Sequence, residues 1–311
     1  MHTIDPTDDN LYGYFSRDVA PILTINSGET VRYSTLAANW TYYDADKDEL
    51  VKHEHSDPDE RRVQGHAMCG PIAINGAKKG MVLEVSIDKI VPDKRGFNRG
   101  GGYDWEYWKR LGVAEEPAHL MDWTIDVENN TATSSNGYTV QTAPFLGVIG
   151  MPPDEDGKHI TAPPRYCGGN IDCKLLVEGS RLFLPISVDR ALVSVGDGHA
   201  AQGDGEASGT AIECPMQQVD LTFTLHTDMT LTTPRAYTPS GWITLGVHED
   251  LDEAMLIALN AMLDHMQSTH DLTRKDALAL ASVVVDLHIT QVVNGVQGVH
   301  ALLPHDALKK A

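Results

Sequence analysis

The densest group of side chains able to do acid-base or metal chemistry lies between Gly196 and Glu206. This segment places four ionisable side chains among four glycines within eleven residues. Glycine contributes backbone freedom instead of a packed side chain, and a buried carboxylate needs a partner to offset its desolvation. Because an apolar run at 191–195 precedes the segment, the pattern predicts a strand that delivers a tight polar loop to a concave surface. We take this loop as the candidate active site.

Spacing within the loop is compatible with a metal ion. In an extended chain, residues two apart point to the same side, which would align Asp197 with His199 and Asp204 with Glu206. Imidazole and carboxylate together suit zinc, and calcium when oxygen ligands dominate. The alternative is a polar turn whose charges are solvated, and the spacing leaves both interpretations open.

Other catalytic chemistries find less support in the sequence. It contains no Gly-x-Ser-x-Gly nucleophile elbow, and the two Gly-Asp-Gly triplets carry no Lys-Ser or Lys-Thr pair for binding phosphate. Cys173 beside Lys174, with a glutamate elsewhere, is the remaining nucleophile candidate. The adjacent Asp172 should raise the pKa of that thiol, which is the opposite of what a nucleophile needs.

Overall composition limits the classes of partner. The chain has 311 residues, 24 of them Lys or Arg against 44 Asp or Glu, and a formal net charge of −20. Such an acidic protein lacks the basic surface that nucleic acid requires, so we expect a small neutral substrate or metal cations as partners. The chain shows no signal-peptide profile and no apolar run of about 20 residues, so we expect no membrane partner and a cytoplasmic location. The cysteines, expected to be reduced thiols, show no C-x-x-C pair and are Cys69, Cys167, Cys173 and Cys214.

Hydrophobic periodicity predicts strands for about three quarters of the chain and helices near its end. Alternating runs at 81–90, 181–186 and 219–225 have the period of half-buried strands, a hairpin is expected from 22–25 to 30–33 around Asn26-Ser27-Gly28, and a meander from 123 to 140. The charged stretch 44–62 is expected to be an exposed loop. The segment 95–110, with four glycines and five aromatic residues, is either a lid or an interface loop.

The last fifth of the sequence changes character. Apolar residues at helical spacing from Leu251 to Gln267 follow an acidic first turn, and Thr273 with Asp276 forms a capping box before a second helix to about Leu287. A final hairpin is expected from 289 to 303. The fold class is therefore mainly β (α+β), with sandwich-like or barrel-like lobes, two C-terminal helices and a last hairpin. We expect one unit, 1–311, with sub-lobes at about 1–150, 151–248 and 249–311.

Several motifs resemble the acetamidase/formamidase family. They are Pro-Phe-Leu-Gly-Val-Ile-Gly at 144–150, Gly-Gly-Asn-Ile-Asp at 168–172, Gly-Asp-Gly-His-Ala-Ala-Gln-Gly-Asp-Gly-Glu at 196–206, Gly-Thr-Ala-Ile-Glu at 209–213, and His66 followed by Gly70-Pro71. The resemblance spans nearly the whole chain. One departure is Cys167, which stands where many relatives have histidine or asparagine before Gly-Gly-Asn.

This resemblance implies hydrolysis of short amides such as formamide or acetamide to the carboxylic acid and ammonia. It also implies a divalent metal, zinc with calcium as a further option, and a homodimer or homotetramer. The implied metal ligands are His66, Asp172, His199, Asp204 and Glu206. The implied catalytic residues are Glu206 or Glu213 as general base and Asn170 or Gln202 as donors to the developing oxyanion. Two rivals stay open, a related C–N hydrolase for a larger amide or urea-like compound and a non-catalytic, metal-stabilised binding protein.

Overall fold

The computed structural model describes residues 1–56, 64–102, 104–115 and 117–309. These residues form 23 strands and three helices, with 43% strand and 12% helix, so the mainly β prediction is confirmed. The first strands are β1 (His2–Ile4), β2 (Leu11–Tyr12), β3 (Tyr14–Phe15), β4 (Leu23–Ile25), β5 (Glu29–Thr35), β6 (Thr41–Asp44), β7 (Glu49–Lys52), β8 (Met68–Ile74), β9 (Val82–Pro92), β10 (Arg95–Gly100), β11 (His119–Asp126), β12 (Thr131–Ser134) and β13 (Thr139–Gln141). The remaining strands are β14 (Phe145–Gly150), β15 (His159–Ile160), β16 (Gly168–Asn170), β17 (Arg181–Pro185), β18 (Val193–His199), β19 (Met216–His226), β20 (Arg235–Thr238), β21 (Gly241–His248), β22 (Asp286–Gln291) and β23 (Gln297–Pro304). The helices are α1 (Glu106–Arg110), α2 (Leu251–His270) and α3 (Arg274–Val284).

Two large sheets share one core. Within the described residues, the larger sheet has the order β1-β5-β19-β9-β17-β20-β21-β23-β22, and its long strand β19 pairs antiparallel with β5 and β9. Val219, Leu221 and Phe223 of β19 are fully buried, as the alternating pattern predicts. They join a single apolar cluster with Leu146 and Val195 of the second sheet, so burial holds the two sheets together.

The second sheet is the one that positions the candidate site. In the described part of the chain its order is β16-β14-β18-β8-β2, and β4 pairs in parallel with β8. Every residue of β8, β14, β16 and β18 is buried, including the glycines and polar residues of the Gly196–His199 segment. This half of the polar motif is thus a buried strand and not the loop expected from the sequence.

The C-terminal part follows the sequence prediction closely. Asp250 caps α2 by accepting from the backbone N–H groups of Asp252 and Glu253, and Thr273 accepts from Asp276 N at the start of α3. Helix α3 ends at Val284, three residues before the expected end, because β22 begins at Asp286. The predicted final hairpin is confirmed as β22 paired with β23.

Two local predictions need correction. The segments 22–25 and 30–33 do not form a hairpin, because β4 pairs with β8 in the second sheet whereas β5 pairs with β1 and β19 in the first. The two strands therefore belong to different sheets, and the turn at 26–28 connects them. The expected exposed loop at 44–62 begins within the hairpin β6-β7, and residues 57–62 lie outside the described residues.

Among the described helices, none combines the length and the apolar character needed to cross a membrane.

Helix α2 contains one buried histidine whose environment disfavours its charged form. His265 is 4% exposed, its ring lies 4.6 Å from that of Trp242, and its Nδ1 lies 3.4 Å from an Arg235 guanidinium nitrogen. Burial, followed by the charge of Arg235, lowers the pKa of His265 from 6.5 to about 4. As the pH falls below 6.5, His265 binds a proton in the unfolded chain, but in the folded chain it binds one only near pH 4. Folding stability therefore decreases between pH 6.5 and pH 4.

Replacing His265 with Gln is therefore expected to remove an acid-side loss of stability of up to roughly 3 kcal/mol between pH 6.5 and pH 4. Urea unfolding at several pH values measures the effect as a shallower pH dependence in the variant. His119→Gln, at an exposed position of β11, is the control. Parallel pH profiles for His265→Gln and the native protein would contradict the assignment.

Candidate active site

The site is centred on His199, the last residue of β18. Its ring Nε2 lies 3.2 Å from Asp197 Oδ1 and 3.3 Å from Glu213 Oε2. The ring of Phe145 meets it edge to face at 5.0 Å and closes one side. Because Asp197 and His199 are two apart in a strand, they share a side, as the spacing predicts. The imidazole is thus held between carboxylates on one side and an aromatic wall on the other.

Glu213 reaches His199 through backbone pairing. It forms isolated bridges with His199 and with Phe97 of β10, and its side-chain Oε1 accepts from Ala211 N at 2.9 Å. One carboxylate oxygen is thereby anchored, while Oε2 faces the imidazole. Residues 209–213, which follow the polar motif, therefore contribute Glu213 to the site.

A second pair of carboxyl groups completes the cluster. Asp172 follows β16, and Glu206 lies in the turn where Gly209 N donates to Glu206 O. Both have positive φ, 51° for Asp172 and 47° for Glu206, so the surrounding structure holds them in a region that side chains rarely adopt. Asn294 Nδ2 donates to Asp172 Oδ2 at 2.9 Å, and this contact links the final hairpin to the cluster.

Gln202 connects the two halves of the cluster. Its Oε1 lies 3.0 Å from His199 Nδ1, and its Nε2 donates to the backbone carbonyl of Asp172 at 2.7 Å. Both ends of the amide are therefore engaged with the protein. This geometry makes Gln202 a residue that orients His199.

Gly147 allows the acidic side chains to approach the sheet. A Cβ atom at this position would lie 2.6 Å from Asp172 Oδ1 and 2.9 Å from His199 Cε1, and it would also overlap Asp197 Oδ2. The glycine in the middle of β14 is therefore required by space, because the carboxyl oxygens occupy the volume of a side chain.

Burial controls the electrostatics of the site. The side chains that form it are each at most 7% exposed: Asp172, Asp197, His199, Glu206 and Glu213. Burial, reinforced by neighbouring carboxylates, raises the pKa of Asp172 to about 8, and it also raises those of Glu206, well above its ordinary 4.5, and Glu213. Burial opposes ionisation of Asp197 too, but the charges of His199 and His66 outweigh it and hold the Asp197 pKa below its usual range. Although burial lowers the pKa of His199, Glu213 and Asp197 raise it well above 6.5 overall.

Two three-residue groups in the cluster have a metal-ligating composition and share His199. One group adds Asp172 and Glu206, the other adds Asp197 and Glu213, and in each group the ligand atoms lie within 4.8 Å of one another. Among the described residues, Asp172 Oδ1, Glu206 Oε2 and Glu213 Oε2 are buried without a hydrogen-bond partner. Buried oxygens of this kind are costly unless a proton or a cation satisfies them.

A cavity of about 750 Å³ lies over the cluster. Asp197, Glu206 and Glu213 line it, which gives the buried carboxyl groups access to a ligand. His66 lines it as well, with both its backbone N–H and its Nδ1 on Thr161 Oγ1 at 2.9 and 2.8 Å. Asn170 lines the cavity, but its amide nitrogen donates to Ala162 O.

The aromatic segment expected to be a lid lies at a neighbouring opening. Trp105, Glu106 and Tyr107 border a second cavity together with His66 and Asn294, and Trp108 is buried. A Cβ on Gly209 would lie 3.3 Å from the Trp105 ring, so the two segments are in contact. Tyr103 lies outside the described residues.

The structure does not bring all the residues named by the sequence to one place. Asp204 is separated from Glu206 and lies beside His288 instead. His66 belongs to neither group around His199. Cys173, the nucleophile candidate, is fully buried, and burial raises the pKa of its thiol to about 12, so the geometry gives it no role as a nucleophile.

Sequence reasoning also left two contributors out of its final set. Asp197 was paired with His199 by spacing but was not among the implied ligands, although it forms the shortest carboxylate contact to the His199 Nε2. Asn294, in the turn between β22 and β23, is the second. Its contact with Asp172 joins positions 122 residues apart, and no local pattern signals such a pairing.

The sequence and fold comparisons identify the family. A sequence model described as the acetamidase/formamidase family matches residues 2–159 and 155–310, and the chain therefore belongs to this family. A formamidase from Methylophilus methylotrophus is 52% identical in an alignment of 251 positions that covers 64% of this chain and 60% of that relative. An acetamidase from Mycolicibacterium smegmatis is 27% identical in an alignment of 249 positions that covers 61% of this chain and 59% of that relative.

The chain thus spans about three fifths of the length of these curated relatives. Coverage is greater in the comparison of structures. The crystal structure of an acetamidase from Bacillus halodurans, 26% identical in sequence, matches with a TM-score of 0.82 over 97% of each chain.

Substituting Gly147 with Ala tests whether the cluster occupies the space above β14. The added methyl group would overlap the Asp172 and Asp197 carboxyl oxygens, so we expect a loss of roughly 1–3 kcal/mol in the free energy of unfolding, measured with urea. Gly100→Ala, at the end of β10 with nothing within 4 Å of its new Cβ, is the control. Equal stability of the two variants would show that the carboxyl groups do not occupy this space.

Proposed function

We propose that this protein hydrolyses a short linear amide to the carboxylic acid and ammonia. The observation that carries the proposal is the buried carboxyl and imidazole cluster, three of whose carboxyl groups line the cavity, in a chain that belongs to the acetamidase/formamidase family. Carboxyl groups with raised pKa values beneath a cavity are suited to moving protons at neutral pH. The relatives named formamidase and acetamidase give the class of substrate.

The donor set of the cluster fits a divalent cation. Four carboxyl groups around one imidazole leave excess negative charge in a buried space, and three of their oxygens lack a hydrogen-bond partner within the described residues. Asp172, His199 and Glu206 would hold the ion, because two of the three oxygens belong to this group. A bound zinc ion supplies positive charge that polarises a carbonyl group and lowers the pKa of a water molecule.

Glu213 is the residue to which we assign proton transfer. Its Oε1 is fixed by Ala211 N, its Oε2 lies 3.3 Å from His199 Nε2, and it lines the cavity. Burial raises its pKa above the ordinary 4.5, and a raised pKa suits a carboxyl group that takes a proton from water and returns it. Glu213 would take a proton from the attacking water and deliver it to the departing nitrogen, so that the C–N bond breaks and ammonia leaves.

His66 and Asn170 are the groups near the developing oxyanion. Thr161 Oγ1 accepts from the His66 backbone N–H, and its hydroxyl can donate to His66 Nδ1, which favours the tautomer that carries its proton on Nε2. A proton at Nε2 is a donor toward the cavity and would stabilise negative charge on the former carbonyl oxygen. Gln202, engaged at both ends, would instead keep His199 oriented.

The cavity volume supports a second candidate substrate. Formamide and acetamide are far smaller than about 750 Å³, a volume within the range of pockets that bind much larger ligands. A larger amide is therefore the alternative substrate for the same chemistry. A panel of amides of increasing acyl size, each followed by ammonia release, separates the two candidates, and binding without ammonia release would instead favour the non-catalytic rival.

Replacing Glu213 with Gln preserves its shape but removes the proton acceptor. We expect ammonia release from formamide or acetamide to fall by about 10²–10⁴-fold in kcat. Glu128→Gln, at an exposed turn, controls for a general effect of charge removal. Retention of native kcat by Glu213→Gln would remove this residue from the proposed mechanism.

The raised carboxyl pKa values predict how metal binding depends on pH. At pH 6, Asp172, with a pKa of about 8, holds a proton that a cation must displace, so zinc affinity should rise by up to about tenfold per pH unit between pH 6 and pH 8 as Asp172 ionises. Calorimetric titration of chelator-stripped protein measures this slope, and ammonia release should stop on stripping and return with zinc.

Asp172→Asn is the matched variant because it removes the displaced proton and should lower the slope. Zinc affinity that is the same at pH 6 and pH 8, or turnover that survives complete stripping, would contradict the metal proposal.

A further inference from the structure

A second group of metal-ligating side chains lies behind the polar loop, away from His199. Gly205 and Glu206 have φ values of 96° and 47°, and these left-handed residues turn the chain between Asp204 and Glu206. Glu206 consequently faces Asp172, whereas Asp204 faces the final hairpin. Asp204 approaches His288 of β22 and His300 of β23, and ligand atoms of all three lie within 4.8 Å of one another.

The two histidines form a cross-strand pair. His288 and His300 are directly opposite in the β22-β23 register, and their rings stack at 4.9 Å with an interplanar angle of 5°. His288 Nδ1 lies 3.1 Å from Asp204 Oδ2, and His300 Nδ1 lies 2.8 Å from Thr290 Oγ1. One nitrogen of each ring is therefore held by an oxygen atom of the protein.

The other nitrogen of each ring is buried and lacks a partner. Among the described residues, His288 Nε2 and His300 Nε2 make no hydrogen bond, and His300 is fully buried. When His300 donates its Nδ1–H to Thr290 Oγ1, its Nε2 presents a lone pair that no donor in the described residues satisfies, which is the arrangement that orients histidine ligands in metal sites. His288 Nδ1 and Asp204 Oδ2, 3.1 Å apart, would share an ion in place of a proton.

We propose that Asp204, His288 and His300 form a second zinc-type site, distinct from the group centred on His199. Two imidazoles and one carboxylate are a ligand set that zinc accepts, with water completing the tetrahedron. Buried ring nitrogens without a hydrogen-bond partner decrease folding stability, and a cation that binds them offsets this decrease. Burial also keeps His300 neutral, because it lowers the pKa of this residue to about 4.

An ion at this position would act on the cluster through the backbone. Gly205 N donates to Thr290 O at 3.1 Å, and Val292 N donates to Gly205 O at 3.2 Å, so the polar loop already pairs with the strand that carries His288. A metal bond from Asp204 to the same hairpin would fix the loop that ends at Glu206. The second site is therefore a positioning site that touches no substrate.

The positive charge of Lys174 disfavours a cation at this site, so removing that charge should increase the affinity for zinc. Its Nζ lies 3.0 Å from Asp204 Oδ2, the oxygen that also contacts His288. A cation entering the site must compete with this ammonium group. Removing the charge with Lys174→Met should therefore tighten zinc binding, by roughly tenfold for each 1.4 kcal/mol of repulsion relieved.

The experiment counts zinc ions per chain. Full-length protein stripped with a chelator is dialysed against zinc chloride, and bound zinc is measured by inductively coupled plasma mass spectrometry. We expect His288→Gln and His300→Gln each to bind one ion fewer per chain than the native protein, and His119→Gln, an exposed strand histidine, to match the native count. Because the result is a difference, it holds whether or not the His199 group binds zinc.

The test does not depend on every histidine variant being able to fold. If the fully buried His300 does not tolerate replacement, the half-exposed His288 and the Lys174→Met variant still test the site. An equal zinc count in His288→Gln and the native protein, or an unchanged affinity in Lys174→Met, would overturn the proposal.

Discussion

Four carboxyl groups and one imidazole share a buried space beneath the cavity, and the electrostatics of that group constrain the rest of the molecule. Charges at such short range interact strongly when the surrounding dielectric is low, so the excess negative charge has to be neutralised by protons or by a cation. The raised pKa values of Asp172, Glu206 and Glu213 reflect this requirement. The cluster also restricts the residues packed around it: position 147 must be glycine because the carboxyl oxygens occupy the space of a side chain, and the Phe145 ring packs against the imidazole.

The backbone around the cluster stores strain that the sheets hold in place. Asp172, Asp197 and Glu206 all have positive φ, which costs of order 1 kcal/mol or more for a residue with a side chain. Asp197 lies within the fully buried β18 and Asp172 follows the fully buried β16, whereas Glu206 lies in a turn closed by the hydrogen bond from Gly209 N to Glu206 O. The large apolar core shared by the two sheets supplies the stability against which this cost is set.

The final hairpin belongs to the site as much as the glycine-rich motif does. It lies at the edge of the larger sheet, yet Asn294 donates to Asp172, and Thr290 pairs with Gly205. The hairpin thus connects the larger sheet to the loops of the smaller one. If the proposed site at Asp204 binds an ion, the hairpin holds the 203–206 loop in two ways, through its backbone hydrogen bonds and through the histidine side chains that bind the ion.

The sequence by itself determined the mainly β fold, the two capped helices, the last hairpin and the polar motif, because strand alternation, capping residues and turn residues are local signals. It also paired Asp197 with His199, and both residues lie in β18. Only the tertiary structure decided that β4 and β5 join different sheets and that Asp204 and Glu206 face different neighbours. The rule for residues two apart fails at Glu206 because the left-handed backbone turns the chain there, and the hydrogen bond from Asn294 to Asp172 spans 122 residues, a distance over which sequence periodicity carries no information.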